Sequence, residues 1–246
     1  MRPFSPARFG NPAALAGATP FSPLAISSLV EWWSIDDLAS VGDGNPVSSW
    51  VGRKQGITPV ATTTTRPTYV ADAGDGLPAL VPDGVDDSMD VIIATDVLTY
   101  FPNASLEVWA VFYHAGDVAA NTFDPINTSL GAGTLGRWLP FSDNTIYFDH
   151  PSPGAGRISV AIPGGFYDNW HIVRFAKASS NRQIEIDGTQ LVTGSSASTF
   201  STSTATLFRI CATNTVMKLR HLLLFNNEVT GADLVALRTY LGGYTP

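Results

Sequence analysis

Short apolar segments separated by turn residues recur along this sequence from residue 29 to residue 225, and this spacing limits the folds that the chain can adopt. Segments that are too short for helices and that repeat at close intervals are typical of strands in a β-sandwich or barrel. The chain has 22 glycines and 17 prolines, the residues that many tight turns need. The pattern therefore predicts an all-β fold, and 246 residues fit one sandwich domain.

The segment LEVWAVFY at residues 106–113 is the clearest predicted strand. It is almost continuously apolar, which is typical of a strand buried on both faces. Asp187-Gly188, between two short segments, predicts a tight hairpin. The other predicted strands are residues 29–33, 47–51, 79–81, 89–93, 145–149, 157–162, 170–176, 183–187, 189–192, 206–212 and 216–225.

One helix is predicted, and it begins after Thr230. Thr230 and Asp233 have the spacing of a capping box that uses the shorter acid. Three leucines then fall on one face at helical spacing: Leu234, Leu237 and Leu241. Two glycines, Gly242 and Gly243, are expected to end the helix. We expect this helix to close one end of the sandwich.

The first 27 residues are predicted to form an extended arm, and residues 28–246 the jelly-roll domain. Prolines are frequent in the arm, and they fix φ and remove backbone donors, which disfavours a central strand or a long helix. A disordered tail is the alternative, but such a tail would not need apolar residues at intervals. The residues expected to anchor the arm on its own domain or on a neighbouring subunit are Phe4, Phe9, Leu15 and Phe21.

The charge distribution excludes several classes of partner. The formal net charge is −7 and the 14 basic residues are scattered, so no patch is predicted to neutralise nucleic acid or an anionic membrane surface. No apolar stretch approaches the ~20 residues that span a bilayer, and residues 1–28 lack the apolar core of a secretory signal. The single cysteine, Cys211, excludes an intrachain disulfide and is expected in the core.

Four motifs occur in the order in which one superfamily of sandwich domains has them. They are PDGVDDSM at residues 82–89, SLEVWAVF at 105–112, WHIVRF at 170–175 followed by QIEIDGT at 183–189, and HLLLFN at 221–226. With these motifs the chain resembles the concanavalin A-like and laminin-G-like jelly-roll domains, although Pro82 replaces the family's aromatic residue and Asp187 its asparagine. The resemblance implies an antiparallel jelly-roll β-sandwich with an extended N-terminal arm and a short C-terminal helix.

The opening of the domain has a more particular resemblance. FSPL at residues 21–24, LVEWWSIDDL at 29–38, GDGNPVSSW at 42–50 and RPTYVA at 66–71 resemble the start of jelly-roll modules in bacteriophage structural proteins. The resemblance implies a tail, fibre or capsid-surface component that is exposed on the virion. It also implies other virion subunits as partners and a homo-oligomer, for which a homotrimer is one expected form.

Two acidic residues of the predicted hairpin, Glu185 and Asp187, are candidates for catalysis. Jelly-roll β-glucanases carry three acids at alternate strand positions, which places the carboxyls on one face, and retaining glycosidases need two carboxyls about 5 Å apart. The third position here is Thr189, and the Asp-Gly turn accounts for Asp187 without catalysis. We therefore expect no enzymatic activity, and a glycoside hydrolase or lyase is the remaining alternative.

An acidic turn contains Asp83, Asp86 and Asp87. These side chains can bind Ca²⁺, because carboxylate oxygens from a loop suit this ion, and laminin-G-like domains often hold one. The same aspartates can instead stabilise the turn by hydrogen bonds to the backbone. We favour the turn, and we expect no other cofactor.

Carbohydrate binding needs aromatic side chains on loops beside polar groups, whereas aromatic residues in strands are usually core. Trp138 and Tyr167 fall in predicted loops and are the candidates for contact with a host-surface glycan. The sequence thus predicts a non-catalytic virion structural protein (a capsid decoration, fibre or tail component) that is anchored by its arm and displays a jelly-roll for protein or glycan contact. A carbohydrate-binding receptor adhesin is the alternative.

Overall fold

Antiparallel strands dominate the computed structural model, which describes residues 20–93, 100–101, 105–116, 126–129, 143–149, 157–178, 181–195, 206–210 and 216–246. These residues form a β-sandwich with one long sheet and two short sheets, which confirms the predicted all-β, concanavalin A-like class. Within the same residues, no helix is long and apolar enough to cross a membrane. Cys211 lies outside the described residues.

The strands of the described residues are β1 (Leu29–Ser34), β2 (Thr68–Val70), β3 (Ala79–Val81), β4 (Met89–Ile93), β5 (Leu106–His114), β6 (Ile126–Ser129), β7 (Thr145–Asp149), β8 (Arg157–Ala161), β9 (Trp170–Ala178), β10 (Asn181–Ile186), β11 (Thr189–Ser195), β12 (Thr206–Ile210) and β13 (Met217–Phe225). The α-helix, α1, spans Gly231–Gly242, and two 3₁₀ helices span Pro23–Ala25 and Ile35–Val41.

The long sheet has its strands in the order β11-β10-β9-β5-β13-β3-β2, and β1 also pairs with β13. Strand β13 is therefore central, with β5 along one side and both β1 and β3 along the other. The short sheets are β4-β12-β6 and the β7-β8 hairpin. Neighbouring strands in all three sheets run antiparallel.

Strand β5 shows that both faces of the long sheet are buried, as its sequence predicts. Ala110 and Phe112 belong to the main core, which also contains Met89 of β4 and packs the β7-β8 hairpin. Trp109 and Val111 alternate with them and belong to a second apolar cluster. We call the face that meets the short sheets the inner face, and the opposite one the outer face.

Helix α1 lies across the outer face of the long sheet and not, as predicted, over one end of the sandwich. Leu237 and Leu241 are fully buried in the second apolar cluster with Trp109, Leu223 and Phe225. Leucine spacing identifies the apolar side of a helix but not the surface that this side covers. The prediction was wrong for that reason.

Two local predictions also differ from the structure. Thr230 precedes α1, but its side chain makes no capping hydrogen bond, so only the acidic Asp233 in the first turn complements the helix dipole. The segment 47–51 forms no strand, and its one isolated bridge joins Ser49 to Val60. Its neighbours are loops that are held by single backbone hydrogen bonds, such as the 2.8 Å bond from Val47 N to Pro67 O.

A close approach between the two layers fixes the free end of the long sheet. A Cβ atom at Gly194 of β11 would lie 2.3 Å from Cγ2 of Ile158 in β8, which is shorter than any tolerated contact. Glycine at this position therefore allows β8 to pack directly beneath β11. This contact supports the end of the sheet that carries the candidate site.

Candidate functional site

A groove of about 510 Å³ opens on the outer face, between β9, β10, β11 and the loop before α1. Its side chains are mostly polar and uncharged. The polar residues that border it include Asn181, Gln183, Gln190, Thr193, Ser195 and Glu228. We call this feature the polar groove.

Strand register brings these groups together. Asn181 lies opposite Ser195, and Gln183 lies opposite Thr193, in the β10-β11 pair. On the other side of β10, the residues opposite Asn181 and Gln183 are Ala178 and Ala176. Because alanine side chains are short, β9 forms the floor of the groove. The longer amide and hydroxyl side chains of β10 and β11 project beside this floor.

Glu228 forms the wall of the groove next to α1. Its Oε1 atom accepts hydrogen bonds from Gln183 Nε2 at 2.9 Å and from Arg174 Nη2 at 3.2 Å. Arg182 also borders the groove, but it alternates with Asn181 and Gln183 along β10 and is only 1% exposed. Its guanidinium is therefore turned away from the solvent of the groove.

A buried ion cluster lies beside the polar groove, under α1. Arg174 makes two 3.0 Å hydrogen bonds to the carboxylate of Glu107 and one of 3.3 Å to Glu185. Arg238 of α1 contacts Glu185 at 2.6 Å. Burial raises the pKa of Glu107 despite Arg174, whereas for Arg174 the lowering by burial is outweighed by Glu107, and its pKa is raised.

The two candidate catalytic acids are both held in structural contacts. Glu185 is 2% exposed and bonds to Arg174 and Arg238. Asp187 accepts a 2.8 Å hydrogen bond from Ile172 N and contacts Nδ1 of His171 at 2.6 Å. Its φ of 50° is the left-handed conformation of a tight hairpin. The hairpin interpretation accounts for these contacts without a catalytic role.

Tyr167, one of the two predicted glycan contacts, lies in the loop before β9 and outside the polar groove. Its ring packs edge-on against His114 at 5.4 Å and Phe166 at 5.9 Å. Its hydroxyl donates a 3.1 Å hydrogen bond to Oδ1 of Asn144, beside β7. Tyr167 thus joins a loop to the β7-β8 hairpin. Trp138, the other predicted contact, lies outside the described residues.

A second outer-face surface contains the aromatic pair Tyr113 and Trp170, whose ring centres are 5.8 Å apart. Lys218 lies 4.5 Å from the ring centre of Tyr113, and Arg220 lies 3.6 Å from that of Trp170. Cations are attracted to aromatic faces at such distances. This pair therefore stacks with its own chain's cations, and we do not include it in the candidate site.

Three of the predicted arm anchors, Phe4, Phe9 and Leu15, lie outside the described residues. Phe21 is described, and its ring meets the ring of Tyr240 in α1 at 6.1 Å. Ile26, a few residues later, is 2% exposed in the second apolar cluster. The segment before β1 therefore packs on the outer face beside α1.

The acidic turn has the geometry for either of its predicted roles. Ligand atoms of Asp83, Asp86 and Asp87 lie within 4.8 Å of one another. Backbone hydrogen bonds also occupy this turn, since Asp87 Oδ2 accepts from Asp83 N at 2.8 Å and Asp83 Oδ1 accepts from Val85 N at 2.8 Å. Burial raises the pKa of Asp87, and the charges of Asp83 and Asp86 add to the rise.

Calcium bound at this turn would raise the melting temperature by offsetting the repulsion among the three carboxylates, whereas the backbone-bonding role that we favour predicts no change. At about tenfold to a hundredfold excess over the dissociation constant, bound calcium would give a rise of about 3–11 °C. Thermal melts with CaCl₂, and with Asp86→Asn as the matched variant, measure it. An unchanged melting temperature in the unsubstituted protein would rule out calcium binding at this turn. The aspartates would then serve the turn only through their hydrogen bonds to the backbone.

Sequence reasoning missed every polar residue of the groove. The available signal was the alternation of polar side chains, Asn181 with Gln183 and Thr193 with Ser195, at the outer ends of two adjacent strands that were predicted to span only residues 183–187 and 189–192. This signal becomes a site only when the register places the two pairs side by side. Amides and hydroxyls at alternate strand positions otherwise look like an ordinary solvent-facing surface.

No protein-family model and no curated protein matches the sequence. Solved structures do match by fold. A Trypanosoma rangeli sialidase in complex with sialic acid is 12% identical with a TM-score of 0.61, and the match covers 91% of this chain and 36% of the sialidase. The binding domain of botulinum neurotoxin DC in complex with SialylT is 14% identical with a TM-score of 0.56, covering 87% of this chain and 52% of that one. The chain therefore spans about a third of the sialidase and half of the toxin domain, and it shares a β-sandwich fold with both.

Proposed function

We propose that this protein is a non-catalytic virion component whose polar groove binds an uncharged carbohydrate. The jelly-roll domain would present this groove on the virion surface. The single observation that carries the proposal is the groove itself. Amides, hydroxyls and one carboxylate surround a low floor of two alanines on an open sheet face.

The chemistry of the groove suits sugar hydroxyls. Each hydroxyl of a sugar both donates and accepts, and amide and hydroxyl side chains offer both functions as well. Asn181 and Thr193 are exposed and face the solvent of the groove. Proteins of this fold that are solved with sialic acid or SialylT support sugar contact by analogy of fold.

The charges around the groove favour a neutral glycan over an acidic one. The charged side chains that meet at its wall and beneath it are Glu107, Glu185, Glu228, Arg174 and Arg238. The buried Arg182 brings the guanidinium groups to three, which balance the three carboxylates, and Glu228 is the charged residue that borders the groove with a partly exposed side chain. A sialylated sugar would bring a further carboxylate towards Glu228, which like-charge repulsion opposes.

The contacts of the two hairpin acids support a non-catalytic role. A general acid or nucleophile must reach the substrate within hydrogen-bond distance. Glu185 is buried beneath α1 and paired with Arg174 and Arg238, and Asp187 is paired with His171. Neither carboxylate borders the polar groove.

The virion setting is proposed from the sequence of the arm and of the domain opening. Their resemblance to phage jelly-roll modules supports attachment to other virion subunits. Because Phe21 packs on Tyr240, the end of the arm that joins the domain lies on the outer face, beside α1. In this proposal the arm contacts a neighbouring virion subunit and the polar groove contacts a host-surface glycan.

Replacing Asn181 with alanine and Thr193 with valine together is expected to weaken glycan binding about thirtyfold, because each change removes a hydrogen-bonding group worth about 1 kcal/mol. Both side chains are exposed, so the fold should be retained. An array of neutral and sialylated oligosaccharides identifies the ligand, and calorimetry with the best neutral binder measures the affinity.

Gln55→Ala is the matched control, because Gln55 is an exposed amide in another loop. Tyr167→Phe tests the loop site that the sequence predicts, since it keeps the ring and removes the hydroxyl that bonds to Asn144. An array without any bound glycan contradicts the proposal. So does binding that survives the double change but is lost in Tyr167→Phe.

A further inference from the structure

We infer that two copies of this chain associate edge to edge through β11, so that their long sheets join into one antiparallel sheet. The inference rests on the edges of the long sheet and does not depend on the glycan. An unpaired strand edge presents a row of backbone donors and acceptors that another chain can pair with. The long sheet ends in three strands that could do so: β1, β2 and β11.

Two of these edges are covered by their own chain. Along β2, Tyr69 N donates to Asn45 O at 3.0 Å and its carbonyl accepts from Gly44 N at 2.9 Å. Pro46 bridges to Thr68 on the same edge. Along β1, Arg53 N donates to Trp32 O at 2.9 Å. Loops therefore close both edges against a further strand.

Strand β11 differs from them. Among the residues that the structure describes, only β10 pairs with it. Its sequence, TQLVTGS, contains no charge and no proline, which are two of the devices that protect exposed edges. A third device, a bulge, is present at Leu191, and the residues on either side of it keep a regular register with β10. It is seven residues long, and Ile158 of β8 supports it from the inner face at Gly194. This edge is thus long, uncharged and held in place.

A second copy fits this edge better than the arm does. The arm has Pro3, Pro6 and Pro12 within its first residues, and each proline lacks the N–H that a pairing strand must donate. An uncharged strand can pair with its own copy without like-charge repulsion, although the whole chain carries a net charge of −7. In the described part of the long sheet, β11 is the one edge that no loop covers, so two-fold antiparallel pairing through it closes at a dimer.

Dimerisation would place two polar grooves side by side. In an antiparallel sheet the two-fold axis is perpendicular to the sheet, so both outer faces point the same way. Thr193 and Ser195 border the groove from β11 itself, which places each groove beside the seam between the two β11 strands. On a surface that presents several glycans, binding of one groove would raise the effective glycan concentration at the other groove, so the dimer would bind more tightly than a monomer.

Opposite charges introduced on β11 test the inference without assuming a register. Gln190 and Ser195 are exposed near the two ends of the strand, and both lie on the outer face, opposite Glu185 and Asn181 of β10. One variant carries Gln190→Lys with Ser195→Lys, and the other carries Gln190→Glu with Ser195→Glu. Each should raise the dissociation constant of its own dimer about tenfold, because like charges would face each other. An equimolar mixture of the two should associate again.

Sedimentation velocity over a concentration series measures association, and hydrogen exchange of the amides at 189–195 is the second readout. The wild-type chain should sediment as a dimer, and these amides should exchange more slowly as concentration rises. The control is Val85→Lys with Val235→Lys, two residues that are 63% and 64% exposed elsewhere, and it should associate like wild type. A monomer throughout, a trimer, or a mixture that fails to associate overturns the inference.

Discussion

Replacing Arg174 with methionine is expected to lower the free energy of unfolding by about 3–5 kcal/mol, the usual cost of breaking a buried ion pair by removing one partner. Arg174 is 3% exposed, and Glu107 and Glu185 are 1% and 2% exposed. Without the guanidinium, both carboxylates would remain buried beneath α1 with fewer partners. Urea unfolding followed by tryptophan fluorescence measures the loss.

Arg238→Met is the matched control, because it removes another guanidinium from the same Glu185. The Arg238 side chain is 34% exposed, so its loss should cost only about 1 kcal/mol. Adding Glu107→Gln and Glu185→Leu to Arg174→Met should restore much of the stability, since uncharged groups of similar size often replace a buried ion cluster without loss. Glutamine is chosen at position 107 because its amide oxygen can still accept a hydrogen bond from Trp109 Nε1 or Val229 N. If Arg174→Met and Arg238→Met lower the free energy of unfolding equally, the burial of the guanidinium does not determine its contribution to stability.

Acid is expected to unfold the protein before its surface carboxylates are protonated, because two buried histidines oppose protonation in the folded state. Burial lowers the pKa of His114 to about 4, and burial with Arg53 and Arg220 nearby lowers the pKa of His221 to about 3. The unfolded chain binds these protons near pH 6.5. The stability that is present above pH 6.5 is therefore lost as the pH falls towards 4, at about 3 kcal/mol for each ring by pH 4.

The double variant His114→Gln and His221→Gln should flatten this dependence. Urea unfolding between pH 7 and pH 4 gives the slope, which reports proton uptake on unfolding and not the absolute stability of the variant. A modest loss at neutral pH is expected, because Nδ1 of His221 accepts a hydrogen bond from Trp32 Nε1 at 3.4 Å. A slope equal to that of the wild type would assign acid unfolding to carboxylates.

The local sequence pattern predicted most strands. Burial on one face produces an alternation of apolar and polar residues, and burial on both faces produces a continuous apolar segment, and both patterns are visible in the sequence. The bounds of β3, β4 and β7 agree with the prediction to the residue. Strand β6, Ile126–Ser129, was missed because its sequence, INTS, has a single apolar residue. The position of α1 was missed because the outer face that receives it is assembled from Trp32, Trp109 and Leu223 on three separate strands.

The candidate site depends even more on long-range pairing. Asn181 and Ser195 become neighbours only through the β10-β11 register, which shifts by a bulge between Ile184 and Glu185. Glu228 reaches the same groove because the chain returns from β13 past Arg174. The sequence supplies the side chains, but it does not show these pairings.

The central place of β13 has a consequence for how the chain folds. Leu29 of β1 pairs with Phe225, and Glu107 of β5 pairs with the same residue from the other side. Neither neighbour can complete its ladder until residues near the far end of the chain have arrived between them. Folding dominated by such distant pairings is slow. Intermediates in which these ladders are incomplete expose unpaired strand edges, which are prone to aggregation. Refolding yield should therefore depend strongly on protein concentration.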